Sequence, residues 1–294
     1  MTENTAQRTV TTHVVGSGAD AITYDIHGDL AEATADRPAL FLFAAPMDAR
    51  GLAMLAERIT DRPVITYDPR GAGRNPVDTT DISVEQHAAD LHRVIAALEV
   101  GPVDAFGSSG GAVNLLALAA THPEDVRIAV VHEPPLAEHL PDRAAVLAVV
   151  DDMKRTYAEK GDGAAMAKFI PFVMFDGVVP DDYLDAPAPD PAMFGMSSED
   201  DGTRTNPLMR NMPATLDYRI DVEALRALGD RIVPAAGVES GDTLAARGAR
   251  AVAAVIGQPV TDFPSHHGGF TESPGYPSDP DGFAARLREV LDRA

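Results

Sequence analysis

The sequence predicts an α/β fold in which a mostly parallel sheet carries helices on both faces and is interrupted by a helical insertion. Short apolar runs alternate with helix-like patterns over residues 1–134, the alternation stops over 135–216, and it returns over 217–294. Near-continuous apolar strands separated by helices are typical of parallel sheets covered on both faces. We therefore expect a core in two parts, 1–134 and 217–294, with a helical cap at 135–216.

The first core part begins with a predicted hairpin. Its strands, Val10–Val15 and 21–26, flank a Gly-Ser-Gly turn at 16–18, and glycine supplies the positive φ that tight hairpin turns need. Ser83 and Gln86 form a capping-box pattern at the start of an amphipathic helix. The remaining predictions for this part are strands at 39–45, 64–67, 103–106 and 126–131 and helices at 52–59 and 111–121.

The segment 135–216 has a different texture from the core. It is rich in Pro, Asp and Phe and holds most of the 10 methionines of the chain. Methionine and phenylalanine would give a cap an adaptable apolar underside. Beyond it, strands are predicted at 231–236 and 260–263 and helices at 243–256 and 282–293.

Composition excludes several function classes. The 24 Lys and Arg against 45 Asp and Glu give a formal net charge of −21, which makes nucleic acid and anionic membrane surfaces poor partners. The sequence contains no Cys, so thiol nucleophiles and zinc–thiolate sites are excluded. Residues 1–8 lack the basic and apolar regions of a leader, and no membrane-spanning run follows. We expect a soluble, cytoplasmic protein.

A candidate nucleophile lies where a predicted strand meets a predicted helix. Residues 107–111, GSSGG, match the pattern Gly-x-Ser-x-Gly, with the strand 103–106 before it and the helix 111–121 after it. Small neighbours are needed because such an elbow holds its serine in a strained conformation. Ser109 is therefore the predicted nucleophile, and the N–H of Gly110 is aimed at a developing oxyanion.

Three motifs together make the chain resemble the α/β-hydrolase superfamily. Besides the elbow, segment 68–75, DPRGAGRN, is similar to the family's D-x-R-G-x-G-x-S turn, and segment 267–270, HGGF, is similar to its H-x-G-F segment. The resemblance covers nearly the whole chain and implies an eight-stranded sheet with an inserted cap. A serine at the elbow implies acyl transfer to an alcohol, with no cofactor and no metal.

The resemblance also indicates the general base. A serine hydroxyl is a weak nucleophile until a histidine accepts its proton. Segment 265–270, SHHGGF, follows the last predicted strand, and His267 has the spacing of the family's catalytic histidine. His266 is an alternative, as a bystander or a pocket residue. His87 and His92 are predicted to lie on the surface of their helix.

The acid of the triad has two candidate positions. Glu133 follows the sixth predicted strand within the run HEPP, which resembles the H-E-x-P of zearalenone-type lactonases. The loop after the seventh strand offers Glu239 or Asp242 at a place where many family members carry an aspartate. We favour Glu133 over Glu239 as the carboxylate that orients the histidine.

The resemblance implies the rest of the site. Ala45, at the end of the third predicted strand, would supply the second oxyanion N–H beside Gly110. Asp48 in the same loop is either a polar group of the pocket or a helix N-cap, and we favour the cap. The expected function is hydrolysis of a carboxylic ester or lactone of a hydrophobic small molecule. Alternatives are C–C bond hydrolysis, thioester hydrolysis, cofactor-free perhydrolysis or ligand binding without catalysis, and a homodimer is left open.

Overall fold

A computed structural model describes residues 8–272 and 277–293. The segment 1–7, which underlies the expectation of no leader, lies outside these ranges. The described residues form a sheet of eight strands in the order β1-β2-β4-β3-β5-β6-β7-β8. The strands are β1 (Val10–Val15), β2 (Ile22–His27), β3 (Leu40–Ala45), β4 (Val64–Tyr67), β5 (Val103–Ser109), β6 (Val126–His132), β7 (Ile232–Gly237) and β8 (Thr261–Phe263).

Strand β2 pairs antiparallel with β1 and β4, and the pairings from β4 to β8 are parallel. The prediction of a mostly parallel sheet is confirmed. Parallel strands present their carboxyl ends at one edge, where α/β proteins bind ligands. The loops after β3, β5, β6, β7 and β8 therefore meet at this edge.

Eight α-helices lie in the described ranges. They are α1 (Ala53–Arg58), α2 (Val84–Leu98), α3 (Gly110–Thr121), α4 (Arg143–Val173), α5 (Pro207–Leu216), α6 (Val222–Leu228), α7 (Leu244–Ile256) and α8 (Pro280–Leu291). The predicted capping box begins α2, where Ser83 accepts from the Gln86 N–H and the Gln86 side chain accepts from the Ser83 N–H. None of these helices is long and apolar enough to cross a membrane.

Alternate residues of each central strand pack into different layers. In β3, Phe41 and Phe43 contact the layer that contains α2 and α3, whereas Leu40 and Leu42 contact the layer that contains α1 and α8. Helices cover both faces of the sheet, so both faces are buried. The sequence of β3 is therefore a continuous apolar run.

Helices α4 and α5 lie between β6 and β7 in the chain and share a separate apolar cluster. The cluster includes Met153, Phe172 and Met212 from these helices and Leu244 from the start of α7. Gly161, with φ of 82°, breaks α4 into two parts. The two helices are thus packed together and anchored on α7, above the carboxyl edge of the sheet.

Candidate active site

Ser109 occupies a strained turn between β5 and α3. Its φ of 56° and ψ of −129° lie outside the regions that L-residues usually adopt, which costs about 1–3 kcal/mol for such a residue. The Ser109 side chain makes no capping hydrogen bond to α3. Ser109 lines the large cavity at the carboxyl edge of the sheet.

The glycines around Ser109 allow β3 to approach the start of α3. A Cβ on Gly107 would lie 2.7 Å from the carbonyl oxygen of Gly111, and one on Gly111 would lie 2.9 Å from the Phe43 oxygen and 3.0 Å from the Ala45 nitrogen. These neighbours are backbone atoms that cannot move aside. The close approach brings Ala45 into register with Ser109, and both line the cavity together with Gly110.

The turn after β4 supports the loop that follows β3. The Asp68 carboxylate accepts from the backbone N–H groups of Ala49 and Arg74, at 3.0 and 2.7 Å. Asn75 donates to the carbonyl of Asp68 at 2.6 Å, and Asp48 caps the short 3₁₀ helix Ala49–Leu52, as predicted. The motif at 68–75 therefore has a structural role, because it fixes the loop beside Ala45.

His267 and Glu133 are joined by a short hydrogen bond. Glu133 directly follows β6, adopts a φ of 49° and is fully buried. Its Oε2 lies 2.6 Å from Nδ1 of His267, and its Oε1 accepts from the Gly237 N–H at 2.8 Å. A carboxylate can only accept, so Nδ1 carries the proton and Nε2 of the neutral ring has a free lone pair.

Several neighbours keep Glu133 ionised. Burial raises its pKa, but the hydrogen bond from His267, the electrostatic influence of the His132 and His267 rings and a hydrogen-bonding contact with Ser240 outweigh burial and lower the pKa to about 2. A permanently ionised carboxylate can both orient a histidine and stabilise its protonated form.

Ser109 and His267 line the same cavity. No hydrogen bond joins their side chains within the described ranges. Catalytic hydrogen bonds are often long in unliganded enzymes and tighten when substrate binds. His267 is therefore bonded to Glu133, and Ser109 lines the same cavity as His267.

The alternative residues occupy other positions. Glu239 is exposed at the cavity wall, and Asp242 pairs with Arg250 at 2.7 Å. His266 also lines the cavity, but its Nδ1 accepts from the Gly268 N–H at 3.1 Å and its Nε2 lies 2.9 Å from the Pro277 carbonyl oxygen. Both ring nitrogens of His266 are thus engaged by backbone groups.

A buried histidine lies behind the pair. His132 Nδ1 is 3.0 Å from Oγ of Ser108, and its ring stacks at 6.1 Å from that of His267. Burial lowers the pKa of His132 to about 4, so the ring is neutral near pH 7. Its remaining contacts are aromatic, with the rings of Phe106, Phe263, Phe270 and Phe283.

The cavity has a volume of about 760 Å³. Helices α4 and α5 contribute much of its apolar wall, including Phe169, Phe172 and Met212. Polar atoms are supplied by His87, Asn114 and Asn211, among others. A volume of this size suits a small-molecule ligand.

The prediction of a surface position for His87 is wrong. His87 is buried and lines the cavity. It lies on the buried stripe of α2 that also contains Val84, Ala88 and Leu91, and this i, i+3, i+4, i+7 spacing is the signal that could have identified it. No comparable sequence pattern identifies Asn114 and Asn211 as cavity residues, because the periodicity of a helix does not show which residues of other helices face it.

One group of side chains has metal-ligand geometry within the described ranges. Ligand atoms of His92, His122 and Asp125 lie within 4.8 Å of one another, away from the cavity-lining residues. His92 bonds Asp125 at 2.7 Å and stacks on His122 at 3.8 Å. These contacts explain the arrangement without an ion, and no step at Ser109 involves it.

Comparison with known proteins identifies the family of the chain. Residues 49–217 match the model of a family described as the alpha/beta hydrolase fold. The uncharacterized hydrolase YraK of Bacillus subtilis is 27% identical over 238 residues, which cover 78% of this chain and 79% of that protein.

Two solved structures show the same fold. An alpha/beta hydrolase enzyme from a Medee basin deep-sea metagenome library has a TM-score of 0.71 at 15% identity, covering 96% of this chain and 98% of its own. A thermophilic esterase from Thermogutta terrifontis has a TM-score of 0.65 at 18% identity, covering 98% and 99%. The resemblance inferred from the motifs is confirmed: the chain belongs to the alpha/beta hydrolase fold family.

Proposed function

We propose that this protein is a serine hydrolase that cleaves a carboxylic ester or lactone of a hydrophobic small molecule. The observation that carries the proposal is the 2.6 Å bond between His267 and the buried Glu133, beside a cavity that also contains Ser109 at its strained turn. A nucleophile, a base and an orienting carboxylate from three separate loops make up the triad pattern. Family membership and the hydrolase relative support the reaction class.

The reaction follows from the roles of these groups. Nε2 of His267 takes the proton of Ser109 as Oγ attacks the carbonyl carbon, and the N–H groups of Ala45 and Gly110 stabilise the negative oxygen. The C–O bond to the alcohol then breaks, and protonated His267 gives the alcohol its proton. Water, deprotonated by His267, then attacks the acyl carbon, the C–Oγ bond breaks, and His267 returns the proton to Oγ of Ser109 as the acid leaves. Glu133 stabilises the protonated histidine during both acylation and deacylation of Ser109.

The cavity favours uncharged substrates. Its wall is mainly apolar, and the carboxylates that line it belong to Asp176 and Glu239. No Lys or Arg lines it in the part of the chain that the structure describes. An anionic acyl chain would therefore find repulsion and no compensating cation. The esterase among the similar structures supports an ester substrate.

We further propose that the segment 135–216 acts as a lid. Phe169 and Val173 of α4 and Met212 of α5 line the same cavity as Ser109. A lid of this composition excludes water from the reacting carbonyl and selects for apolar substrate.

A screen of esters, lactones and thioesters tests the function. Ser109→Ala is compared with Ser108→Ala, which removes the neighbouring hydroxyl. We expect the wild type and Ser108→Ala to hydrolyse a neutral ester or lactone and Ser109→Ala to lose about a thousandfold or more in kcat. Preference for a thioester would change the assigned substrate from an ester to a thioester and leave the mechanism unchanged. Full activity of Ser109→Ala, or no hydrolysis by the folded wild type, contradicts the proposal.

A further inference from the structure

Three polar side chains in the cavity lining make no hydrogen bond of standard geometry in the described structure. His87 comes from α2, Asn114 from α3 and Asn211 from α5, and their exposed fractions are 2%, 1% and 6%. Both ring nitrogens of His87 and both amide atoms of Asn114 and of Asn211 lack a partner at standard hydrogen-bond geometry, although Asn211 lies near enough to His87 to raise its pKa by a hydrogen-bonding contact. All three residues line the cavity.

Unpaired buried polar atoms are unusual. Most such atoms in native proteins are hydrogen-bonded, and each exception calls for a ligand, a water or a strain-bearing role. Here these six atoms come from three helices that pack against one another, whereas apolar groups such as Phe169, Leu208 and Met212 dominate the rest of the lining. A polar group on the occupant of the cavity would satisfy them.

The three side chains are uncharged near neutral pH. Burial lowers the pKa of His87 to about 4, with Arg70 and Arg210 lowering it further and Asp90 and Asn211 opposing. A neutral imidazole offers one donor and one acceptor, and each asparagine amide offers both. The matching ligand group is therefore also neutral and both donates and accepts, as a hydroxyl or a carboxamide does.

The position of Asn114 indicates how far these polar side chains lie from the reacting carbonyl. Asn114 follows Gly110, the proposed oxyanion donor, by four residues on α3. Residues so spaced lie on one helix face, about one turn or ~5.4 Å apart. The polar group of the substrate would thus lie a few bonds from the carbonyl.

We propose that His87, Asn114 and Asn211 form a specificity subsite that binds an uncharged hydroxyl or carboxamide group carried by an otherwise apolar substrate. This inference rests on the proposed function for the position of the reacting carbonyl. It narrows the substrate class from hydrophobic esters to esters or lactones with a polar, uncharged substituent a few bonds from the reacting carbonyl.

Matched alkyl esters test the subsite by kinetics. A methyl, hydroxyl, carboxamide or carboxylate is placed at successive carbons of the acyl chain and then of the alcohol chain, and hydrolysis is followed as acid release. At the matching position we expect kcat/KM to be about ten- to a hundredfold higher for the hydroxyl or carboxamide ester than for the methyl ester, because the methyl leaves the polar wall unpaired.

Asn114→Leu and Asn211→Leu replace each amide by an apolar group of similar size. We expect each to abolish the preference by raising kcat/KM for the methyl ester relative to the hydroxyl ester. Met212→Leu, in the same lining, is the matched control and should keep the wild-type preference. A merely structural role would lower both series equally and leave the ratio unchanged.

Calorimetry on Ser109→Ala tests the subsite without relying on hydrolysis. Neutral alkyl ketones with and without the hydroxyl serve as ligands, and we expect the hydroxyl ketone to bind about tenfold or more tightly. Equal affinities, or an ester ratio that Asn114→Leu and Asn211→Leu leave unchanged, overturn the subsite. If the wild type hydrolyses no ester but the hydroxyl ketone is still preferred, the proposed function fails and the subsite stands.

Discussion

Glu133 is the residue on which the geometry of the site depends most. Its carboxylate is fully buried, accepts from the Gly237 N–H with one oxygen and bonds His267 with the other. The first bond fixes the carboxylate against β7, and the second fixes the orientation of the histidine ring. A second group that holds a base in this way is characteristic of a working nucleophile–base pair.

Two glutamine variants compare the candidate acids. We expect Glu133→Gln to lower kcat by about 10³–10⁴-fold, because an amide can favour the wrong tautomer of His267 and cannot stabilise its charge. Glu239→Gln should stay within a few-fold of the wild type, since Glu239 is exposed and Nδ1 of His267 is already bonded to Glu133. Steady-state kinetics on one ester decide between them, and a larger loss in Glu239→Gln would refute the role of Glu133.

Sequence reasoning reached some site residues and missed others for physical reasons. Ser109 and His267 belong to short sequence motifs, and each motif reflects the local backbone conformation that its residue needs. The sequence pattern is therefore enough to propose them. Glu133 could only be favoured over Glu239, because both follow strands whose ends meet in the folded sheet. His87, Asn114 and Asn211 become neighbours only when three helices pack together, and no local pattern encodes that.

At the scale of elements, the turn between β5 and α3 depends on glycine. A Cβ on Gly107 or Gly111 would lie within 3.0 Å of backbone atoms of α3 or β3. This contact sets how close Ala45 comes to Ser109, and hence the geometry of the proposed oxyanion hole.

Gly111→Ala tests this dependence. The added methyl would lie 2.9 Å from the Phe43 oxygen, so β3 and α3 must separate, at a cost of about 1–3 kcal/mol in the free energy of unfolding. We expect kcat to fall at least about tenfold with the displaced oxyanion donors. Urea unfolding and ester kinetics measure both quantities.

Gly51→Ala is the matched control for that variant. Its Cβ would contact only side-chain atoms of Met47, at 2.4 Å from Cε and 3.1 Å from Cβ, and the end of this partly exposed side chain can move into solvent. We expect this variant to keep wild-type kcat and a stability within about 0.5 kcal/mol of the wild type. Equal behaviour of the two alanine variants would show that the close approach at Gly111 has no role.

The predicted elements largely agree with the structure because their signals are local. The strands Val10–Val15 and Val64–Tyr67 have the predicted bounds, since apolar runs between turn residues define them. Helix α4 had no predicted bounds, because Gly161 interrupts it and Pro171 lies within it. Its place above the site follows from packing against α5 and α7, which periodicity does not describe.

At the scale of the whole molecule, the ionisable residues of this acidic protein are not confined to its surface, because several of them are buried. Asp104 is fully buried, and burial raises its pKa although it pairs with Arg62 and Arg127 at 2.8 and 2.6 Å. His87 and His132 are buried as neutral rings. Such partners are far apart in sequence, so composition alone could not reveal them.

The buried histidines predict how stability depends on pH. In the folded protein the pKa of His87 and of His132 is about 4, against 6.5 as the ordinary value. Between these values the unfolded chain binds more protons, so the stabilisation that is full above pH 6.5 is lost as pH falls towards 4. Each histidine contributes up to ~1.4 kcal/mol per pH unit to that slope.

Urea unfolding at pH 7.5 and pH 5 measures this dependence. We expect His132→Asn, which keeps a polar group near Ser108, to lose less stability than the wild type over this interval. Identical losses in the two proteins would mean that His132 takes up its proton without unfolding.

The central claim is that Ser109 is an activated nucleophile, and labelling with a fluorophosphonate at neutral pH tests it most directly. Peptide mass spectrometry identifies the modified residue in the wild type, Ser108→Ala and Ser109→Ala. We expect one adduct on Ser109 in the first two proteins and none in the third. A folded wild type that stays unlabelled, or a Ser109→Ala variant labelled to the same extent, would contradict it.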